Sequence, residues 1–214
     1  MRVLLIILII AFSHSALAQI SKTEFSQVIL ILREEFSPLS TANNRKLKFF
    51  TSYDTDWAQA FARRWDDDEI HVYGGFAKIK GATQDSFALI VCHELGHLHA
   101  GYPYSNVDLE LSVEGKSDYW ATNVCLPKVL HRLKEITPTN HSRYCSDYTC
   151  NRILDAAMVV TTHFARNDKD KPSLDKRDES VVTEVMKSHP SAQCRLDTLK
   201  AGFFYEPAPK CWMP

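Results

Sequence analysis

A pair of histidines, with a glutamate beside the first, stands in the stretch Val91-Cys92-His93-Glu94-Leu95-Gly96-His97. In a helix, His93 and His97 are separated by about 40° around the axis, so both can direct a ring nitrogen at one metal ion. Glu94 then projects about 100° from His93, beside the ion but not bound to it. That is the place of a general base for a water molecule activated by zinc. A surface helix can acquire this pattern by chance, so the rest of the chain must supply the missing groups.

Two further carboxylates, Glu114 and Asp118, are also four residues apart and share a face of a second predicted helix, which runs from about Asp108 to about Cys125. Inward-facing carboxylates destabilise a fold unless positive groups meet them. A zinc ion for Glu114, and the outer N–H of a ligand histidine for Asp118, would satisfy both. The alternative is two exposed acids on a helix surface. Beside a His-Glu-x-x-His helix that lacks only a third ligand, the metal interpretation is favoured.

The elements that must position these residues are mainly helices. The helix of the histidines follows the apolar run 87–91 and ends near Gly101. Seven glycines in the whole chain argue against a β-sandwich or barrel. We therefore predict an α+β fold, mainly helical with a small β-sheet. Other predicted helices cover 22–36 (ended by Pro38), Thr55 or Asp56 to Trp65, and 153–164. A last helix opens within 188–196 and runs to about Lys200. Predicted strands cover 46–51 and 70–79. The acidic run 66–69 is predicted as a solvated turn rather than a calcium site, and 166–180 as a charged, mobile loop.

The first 18 residues have the features of a signal peptide. A basic start precedes the apolar run 3–12, and Ala16-Leu17-Ala18 offers a cleavage site before Gln19. The run is shorter than the ~20 residues that a membrane span needs, and no later segment is long and apolar enough. The formal charge of −1 gives no attraction to nucleic acid or anionic membranes. We predict an exported protein, periplasmic or secreted, with one domain over 19–214. No nucleic-acid partner and no integral membrane segment after signal cleavage are expected.

Six cysteines, all after the signal, form an even set for an oxidising compartment, so disulfides are predicted. Six cysteines allow 15 pairings, and the sequence does not choose among them. Cys145 and Cys150 are expected to be bonded to each other or to the helix that ends near Cys125. Cys211 is expected to tie back the irregular end of the chain. Cys92 is expected in a disulfide or as a buried thiol.

Three motifs stand in order along the chain: His-Glu-Leu-Gly-His at 93–97, Glu-Gly-Lys-Ser-Asp at 114–118, and Ser-His-Pro at 188–190 followed by Arg195. Over roughly residues 70–200 this order resembles the gluzincin peptidases related to HtpX and the CAAX prenyl proteases. These peptidases include soluble periplasmic and mitochondrial members. The resemblance implies a zincin-like metallopeptidase domain with one zinc ion per chain. By this resemblance, His93, His97 and Glu114 would bind the zinc ion, and Glu94 would be the general base. Asp118 would hydrogen-bond to the outer nitrogen of a ligand histidine. His189 would stabilise the oxyanion, and Arg195 would hold the carboxylates of the site.

The chain departs from that family at a few points. Ser117 stands where the family usually has alanine, the spacing from His97 to Glu114 is short, and the membrane helices of the better-known members are absent. A membrane-protein substrate is therefore not implied. The thermolysin group also has Glu-x-x-x-Asp, and the stretch from His-Pro to arginine favours the first family. In zinc peptidases of this build an edge strand beside the metal binds substrate as an added strand. The run 70–79 is the candidate, with a plain structural strand as the alternative.

Two classes of function are compatible with these residues. The first is a zinc-dependent endopeptidase that acts on a peptide or protein substrate. The second is a non-catalytic, zinc-containing module that binds peptides or acts as a chaperone in the same groove; Glu94 favours the enzyme, because a binding module has no use for a base. Hydrolysis of a non-peptide amide, such as a cell-wall cross-link, is also compatible. The remaining histidines have no partner at ligand spacing and are predicted to lie outside the site: His71, His99, His131, His141 and His163.

Overall fold

The computed structural model describes residues 20–214, so the predicted signal peptide lies outside the described residues. The helices are α1 (Lys22–Thr41), α2 (Gln84–His99), α3 (Glu114–Trp120), α4 (Leu126–Val129), α5 (Tyr148–His163) and α6 (Ala192–Phe204). The strands are β1 (Leu47–Ser52), β2 (Ala60–Arg64), β3 (Asp68–Tyr73), β4 (Tyr104–Asn106) and β5 (Leu111–Ser112). A π-helical segment, Ala121–Cys125, joins α3 to α4, and short 3₁₀ helices cover Gly74–Lys78, Leu130–Arg132 and Asp168–Asp170. No helix in the described part of the chain is long and apolar enough to cross a membrane.

The strands form two small sheets. In the three-stranded sheet the order is β1-β3-β2, with β3 parallel to β1 and antiparallel to β2. Strands β4 and β5 form a two-stranded antiparallel hairpin. The α+β class predicted from the sequence, helical with a small sheet, is confirmed.

Helix α2 lies at the centre of the core. It packs against α1, α3, α5 and β2, and all of its residues except His97 and His99 are buried. A helix that is buried all round needs few exposed polar positions, which agrees with the apolar run 87–91. A capping box of Thr83 and Ser86 closes its first turn. Near that end, Asp85 accepts hydrogen bonds of 2.6 and 2.7 Å from the buried guanidinium of Arg152 on α5, which fixes the two helices to each other.

One predicted element is wrong in type and another is too long. The short helix predicted up to Trp65 is instead strand β2, because pairing with β3 outweighs local propensity: Phe61 stacks on His71, and Arg64 donates a 2.7 Å hydrogen bond to Asp68. The strand predicted over 70–79 is confirmed only for 70–73, which belong to β3, and a 3₁₀ helix (Gly74–Lys78) follows. The N–H of Gly75 still donates to the carbonyl of Trp57, which continues the register of β2 and β3 beyond the strands.

Several boundaries also differ. Helix α1 continues past Pro38 and ends at Thr41. In this last turn the buried Ser40 donates a hydrogen bond to Asp68. That contact also shows that the acidic run is not simply a solvated turn. The predicted second helix begins only at Glu114 and runs through the π-helical segment to Val129. Helices α5 and α6 begin after side-chain caps, Asp147 and Ser191, and α6 ends beyond the predicted Lys200. Residues 166–180 are irregular apart from one 3₁₀ turn.

All six cysteines are in disulfides: Cys92–Cys125, Cys145–Cys150 and Cys194–Cys211. The pairing of Cys145 with Cys150 is the local one of the two that were expected. Cys211 ties the chain end to α6, as predicted. Cys92 is bonded to the π-helical segment that follows α3, so this disulfide joins the helix of the two histidines to the helix of Glu114. Disulfides of this kind persist in oxidising compartments.

Candidate metal centre

The side chains of His93, His97 and Glu114 meet between α2 and the start of α3. Nε2 of His93 lies 3.1 Å from Nε2 of His97. The Glu114 carboxylate completes the triangle, with Oε2 3.2 Å from Nε2 of His93 and Oε1 3.6 Å from Nε2 of His97. Among the described residues, these three offer a set of ligand atoms that all lie within 4.8 Å of one another. The structure thus brings together the three residues predicted as zinc ligands.

The outer nitrogen of each histidine ring is held by an acceptor. Nδ1 of His93 lies 2.7 Å from Oδ1 of Asp118, and Nδ1 of His97 lies 2.8 Å from the carbonyl of Ser112. A carbonyl and an ionised carboxylate only accept hydrogen bonds, so both Nδ1 atoms carry the proton. In neutral rings both Nε2 atoms then present lone pairs to the space in front of Glu114. This orientation of imidazole by a partner on its far side is typical of metal-binding histidines.

Arg195 holds Asp118 from the other side. Its guanidinium donates bonds of 2.8 and 2.7 Å to the two oxygens of the buried Asp118 carboxylate. Burial opposes ionisation of Asp118, but Arg195 and His93 outweigh it and hold the pKa of Asp118 well below its usual range. The carboxylate of Asp118 therefore stays ionised, and its hydrogen bonds to His93 and Arg195 link α2, α3 and α6.

The three groups influence one another's ionisation. Burial opposes the charged ring of His93, but Asp118 and Glu114 raise the pKa of His93 to about 10. Burial likewise opposes ionisation of Glu114, but His93 and His97 lower the pKa of Glu114 to about 2. Both shifts indicate that the Glu114 carboxylate and the facing imidazoles favour a cation between them.

The residues fit zinc. Oε2 of Glu114 is buried and accepts no hydrogen bond of good geometry among the described residues, although Nε2 of His93 and Nε2 of His189 lie 3.2 and 3.4 Å away. A buried oxygen of this kind is rare without an ion or water. Tetrahedral zinc bonds of ~2.0–2.2 Å imply that ligand atoms lie about 3.3 Å apart. The observed separations of 3.1, 3.2 and 3.6 Å agree with that value. Two imidazoles with one carboxylate are also a donor set of catalytic zinc sites, which keep a fourth position open.

Close contact between α2 and α3 makes this geometry possible. A Cβ atom on Gly96 would lie 2.8 Å from Cα of Ser117 and 2.9 Å from its carbonyl oxygen. Only glycine at position 96, and a small residue at 117, allow His97 and Glu114 to approach. Gly96 is one of the two variable residues of His-Glu-x-x-His, and its small size was not used in the prediction.

Glu94 lies beside the three ligands and faces a cleft. The residue is 7% exposed, and its carboxylate makes no hydrogen bond or ion pair within residues 20–214. Glu94 lines two adjoining cavities, which also share Ala60, His93 and His189 as lining residues. An unengaged carboxylate in a narrow cleft is available to accept a proton from a bound reactant.

One of the two cavities is apolar. This apolar pocket has a volume of about 260 Å³ and also borders His93, Glu94 and the paired Arg195. Its hydrophobic wall comes from Phe76, Leu89, Ile90, Val160, Phe164 and Leu199. Sequence analysis did not single out these residues, because apolar residues on helices are as common in a core as in a binding pocket.

His189 lies at the mouth of the cleft, in the irregular segment before α6. Its side chain is 74% exposed, and Nε2 is 3.4 Å from Oε2 of Glu114. It borders both cavities but does not belong to the compact ligand group. The structure therefore brings His189 to the site as a cleft residue.

The strand beside the metal centre is β2, not the predicted run 70–79. Strand β3 lies at the centre of its sheet, whereas β2 is an edge strand, and Ala60 and Ala62 border the cleft. Hydrogen bonds from Tyr73 to Gln59 and from Trp65 to Asp67 mark the bonded pairs of the β2–β3 ladder. By alternation, the backbone N–H and C=O groups of Ala60 and Ala62 point to the free edge.

The other histidines lie outside the site, as predicted. His71 stacks between Phe50 and Phe61. His99 lies 3.5 Å from the hydroxyl of Ser40, and burial lowers the pKa of His99 to about 4. His131, His141 and His163 border neither cavity, although the ring of His163 packs edge-on against Phe76 and Phe164 behind one of them. Asp178, Cys194 and Cys211 form a second cluster of possible ligand atoms. This cluster offers no thiolate, because both sulfurs are in a disulfide.

Comparisons with known proteins give no match: no family model, no curated protein and no solved structure corresponds to this chain. The geometry of the site therefore carries the functional assignment.

Proposed function

We propose that this protein is an exported, zinc-dependent endopeptidase with a zincin-like fold. One observation carries the proposal: the ligand atoms of His93, His97 and Glu114 face one another, and the unengaged carboxylate of Glu94 lies beside them in a cleft. The motif resemblance to the peptidases related to HtpX and the CAAX prenyl proteases points to the same reaction. The three disulfides support export to an oxidising compartment.

A zinc ion bound by His93, His97 and Glu114 would supply Lewis-acid chemistry, polarising the scissile carbonyl and acidifying water. Glu94 accepts the proton of the attacking water and passes it to the departing amine. Asp118 keeps the proton of His93 on Nδ1, and Arg195 keeps Asp118 ionised. His189 donates a hydrogen bond to the substrate oxygen as negative charge develops on it.

The cleft suits an extended polypeptide. A substrate strand that adds to the free edge of β2 bonds to the backbone of Ala60 and Ala62, and this places its scissile bond near Glu94. A large aliphatic or aromatic side chain next to that bond fills the apolar pocket. Arg195 is the cation that borders this pocket, and Asp118 already engages it. Among the described residues that line this pocket there is no lysine and no second arginine to hold a terminal carboxylate, so internal peptide bonds are the expected targets.

The deciding experiment compares the protein that begins at Gln19 with its Glu94→Gln variant. Zinc content is measured by mass spectrometry, and cleavage is mapped with a peptide library. We expect one zinc ion per chain in both proteins and cleavage beside bulky apolar residues by the wild type. The variant should cleave at least ~10²–10⁴-fold more slowly, because a positioned base contributes that much.

Three results would contradict the proposal. Wild-type protein that binds peptides but cleaves none, with equal binding by Glu94→Gln, would favour the peptide-binding or chaperone-like module. Activity that survives Glu94→Gln would place the active site elsewhere. Cleavage of a non-peptide amide but of no peptide would keep the metal chemistry and replace the substrate.

A further inference from the structure

The last residues of the chain form an irregular segment, 206–214, called the C-terminal tail here. The disulfide Cys194–Cys211 ties it to α6. Two backbone hydrogen bonds tie it to the segment that leads to His189: Val182 donates to the carbonyl of Lys210 (3.0 Å), and Met186 donates to the carbonyl of Trp212 (2.9 Å). The tail is therefore fixed on two sides.

Trp212 is the large buried side chain of this tail. The residue is 2% exposed and belongs, with Val113, Cys194 and Cys211, to a hydrophobic cluster separate from the main core. The indole lies directly against Gly115, where a Cβ atom would be 2.2 Å from its Cδ2. The ring thus packs on the residue that follows Glu114, in a cluster that also contains Val113, the residue before it.

The start of α3 lacks a side-chain cap. Glu114 is the first residue of α3, and the N-cap residue Val113 provides no side-chain hydrogen bond. An uncapped helix start lacks the stabilisation that a serine or aspartate cap provides. Packing of Trp212 on Gly115 supplies a fixed position in place of a cap.

The same cluster lies under two other groups of the site. Cys194 immediately precedes Arg195, and Val185 and Met186 pack on the cluster a few residues before His189. We propose that Trp212 is a positioning residue for the metal centre: through the disulfide-anchored tail it holds Glu114, and with it the ligand triangle, in place. This inference rests on the proposed zinc site but not on catalysis.

The test measures the zinc dissociation constant of folded protein by competition with a chromophoric chelator. We expect Trp212→Ala to bind zinc ~10–100-fold more weakly, the range typical for groups that orient metal ligands. Trp212→Phe should restore binding to within a few-fold of wild type. Phenylalanine keeps an aromatic ring, of smaller volume, against Gly115. It also removes the indole Nε1, which has no hydrogen-bond partner among the described residues, so no hydrogen bond is lost.

Two disulfide variants provide a matched pair in case Trp212→Ala does not fold. Replacing Cys194 and Cys211 by serine releases the tail and should weaken zinc binding. Replacing Cys145 and Cys150 by serine removes a disulfide in a different hydrophobic cluster and should leave zinc affinity unchanged.

The outcomes separate the two proposals. Equal zinc affinity in wild type, folded Trp212→Ala and the Cys194/Cys211 variant would overturn the positioning role alone. Equal loss in both disulfide variants would also overturn it, because the effect would then reflect general destabilisation. A wild-type protein that binds no zinc would overturn the proposed function together with this inference.

Discussion

Nδ1 of His93 and Oδ1 of Asp118 lie 2.7 Å apart, and this contact joins α2 to α3 inside the protein. Asp118 in turn accepts two hydrogen bonds from Arg195 of α6. A single buried carboxylate therefore orients the imidazole of one ligand and connects three helices at the site.

Asp118→Asn should weaken zinc binding by roughly 10–100-fold, because an amide orients the ring but does not match the charge of Arg195 or the basicity that a carboxylate confers. Competition with a chelator measures the change. His131→Ala, at an exposed histidine, is the control and should bind zinc like the wild type. Unchanged affinity in Asp118→Asn would remove the proposed role of this carboxylate.

His189→Ala should lower kcat by about 10²–10³-fold and leave KM nearly unchanged, because its hydrogen bond forms to the transition state. Steady-state kinetics on a cleaved peptide measure the two constants. The side chain is 74% exposed, so zinc content and melting temperature should stay as in the wild type. A change confined to KM would instead make His189 a substrate-binding residue.

Ala62→Pro should reduce kcat/KM by about tenfold, the upper range for one lost hydrogen bond, because proline removes an N–H from the free edge of β2. Proline is tolerated on edge strands, so the fold should persist. Peptide kinetics give the effect, and Ala62→Ser, which keeps the N–H, is the control. Identical kinetics in both variants would argue against strand addition at β2.

Glu24→Ala should remove a pH-dependent part of the stability. Hydrogen bonds from the backbone and hydroxyl of Ser21, and from Lys134, lower the pKa of Glu24 to about 2. The ionised group therefore stabilises the fold fully above its unfolded pKa of about 4.5. This contribution is lost as the pH falls from there towards 2.

Urea unfolding from pH 2 to 7 tests this. The difference between wild type and Glu24→Ala should be ~1 kcal/mol near neutral pH, as for other helix caps, and should shrink towards pH 2. Glu184→Ala, at an exposed glutamate, should show no such trend. A difference that is constant with pH would mean that packing, not the charge, carries the effect.

The ligand triangle was predictable because it depends on local spacing. His93 and His97 share a helix, as do Glu114 and Asp118, and helical geometry fixes which side chains share a face. That the two helices meet was indicated by chemistry alone, since buried acids need a positive partner. The close approach itself depends on Gly96 and Ser117, whose importance is visible only in three dimensions.

The edge strand was not predictable in the same way. Residues of β2 look helical in isolation, and their conformation is set by pairing with β3 and by the contact of Arg64 with Asp68. Tertiary contacts of this kind outweigh local propensity. The packing of Trp212 on Gly115 was also not predicted, because nothing in the sequence around Trp212 indicates that it lies on the residue after Glu114.

The burial of α2 has a consequence for the proposed zinc site. A helix enclosed by the core and bonded through Cys92 to Cys125 opens only when the whole molecule opens. His93 and His97 are therefore held in place without an ion, unlike the ligands of zinc fingers, which fold only when loaded. Under the proposed function, loading with zinc would require no folding step. The supply of metal in the surrounding compartment, rather than a slow refolding reaction, would then set the fraction of molecules that is competent.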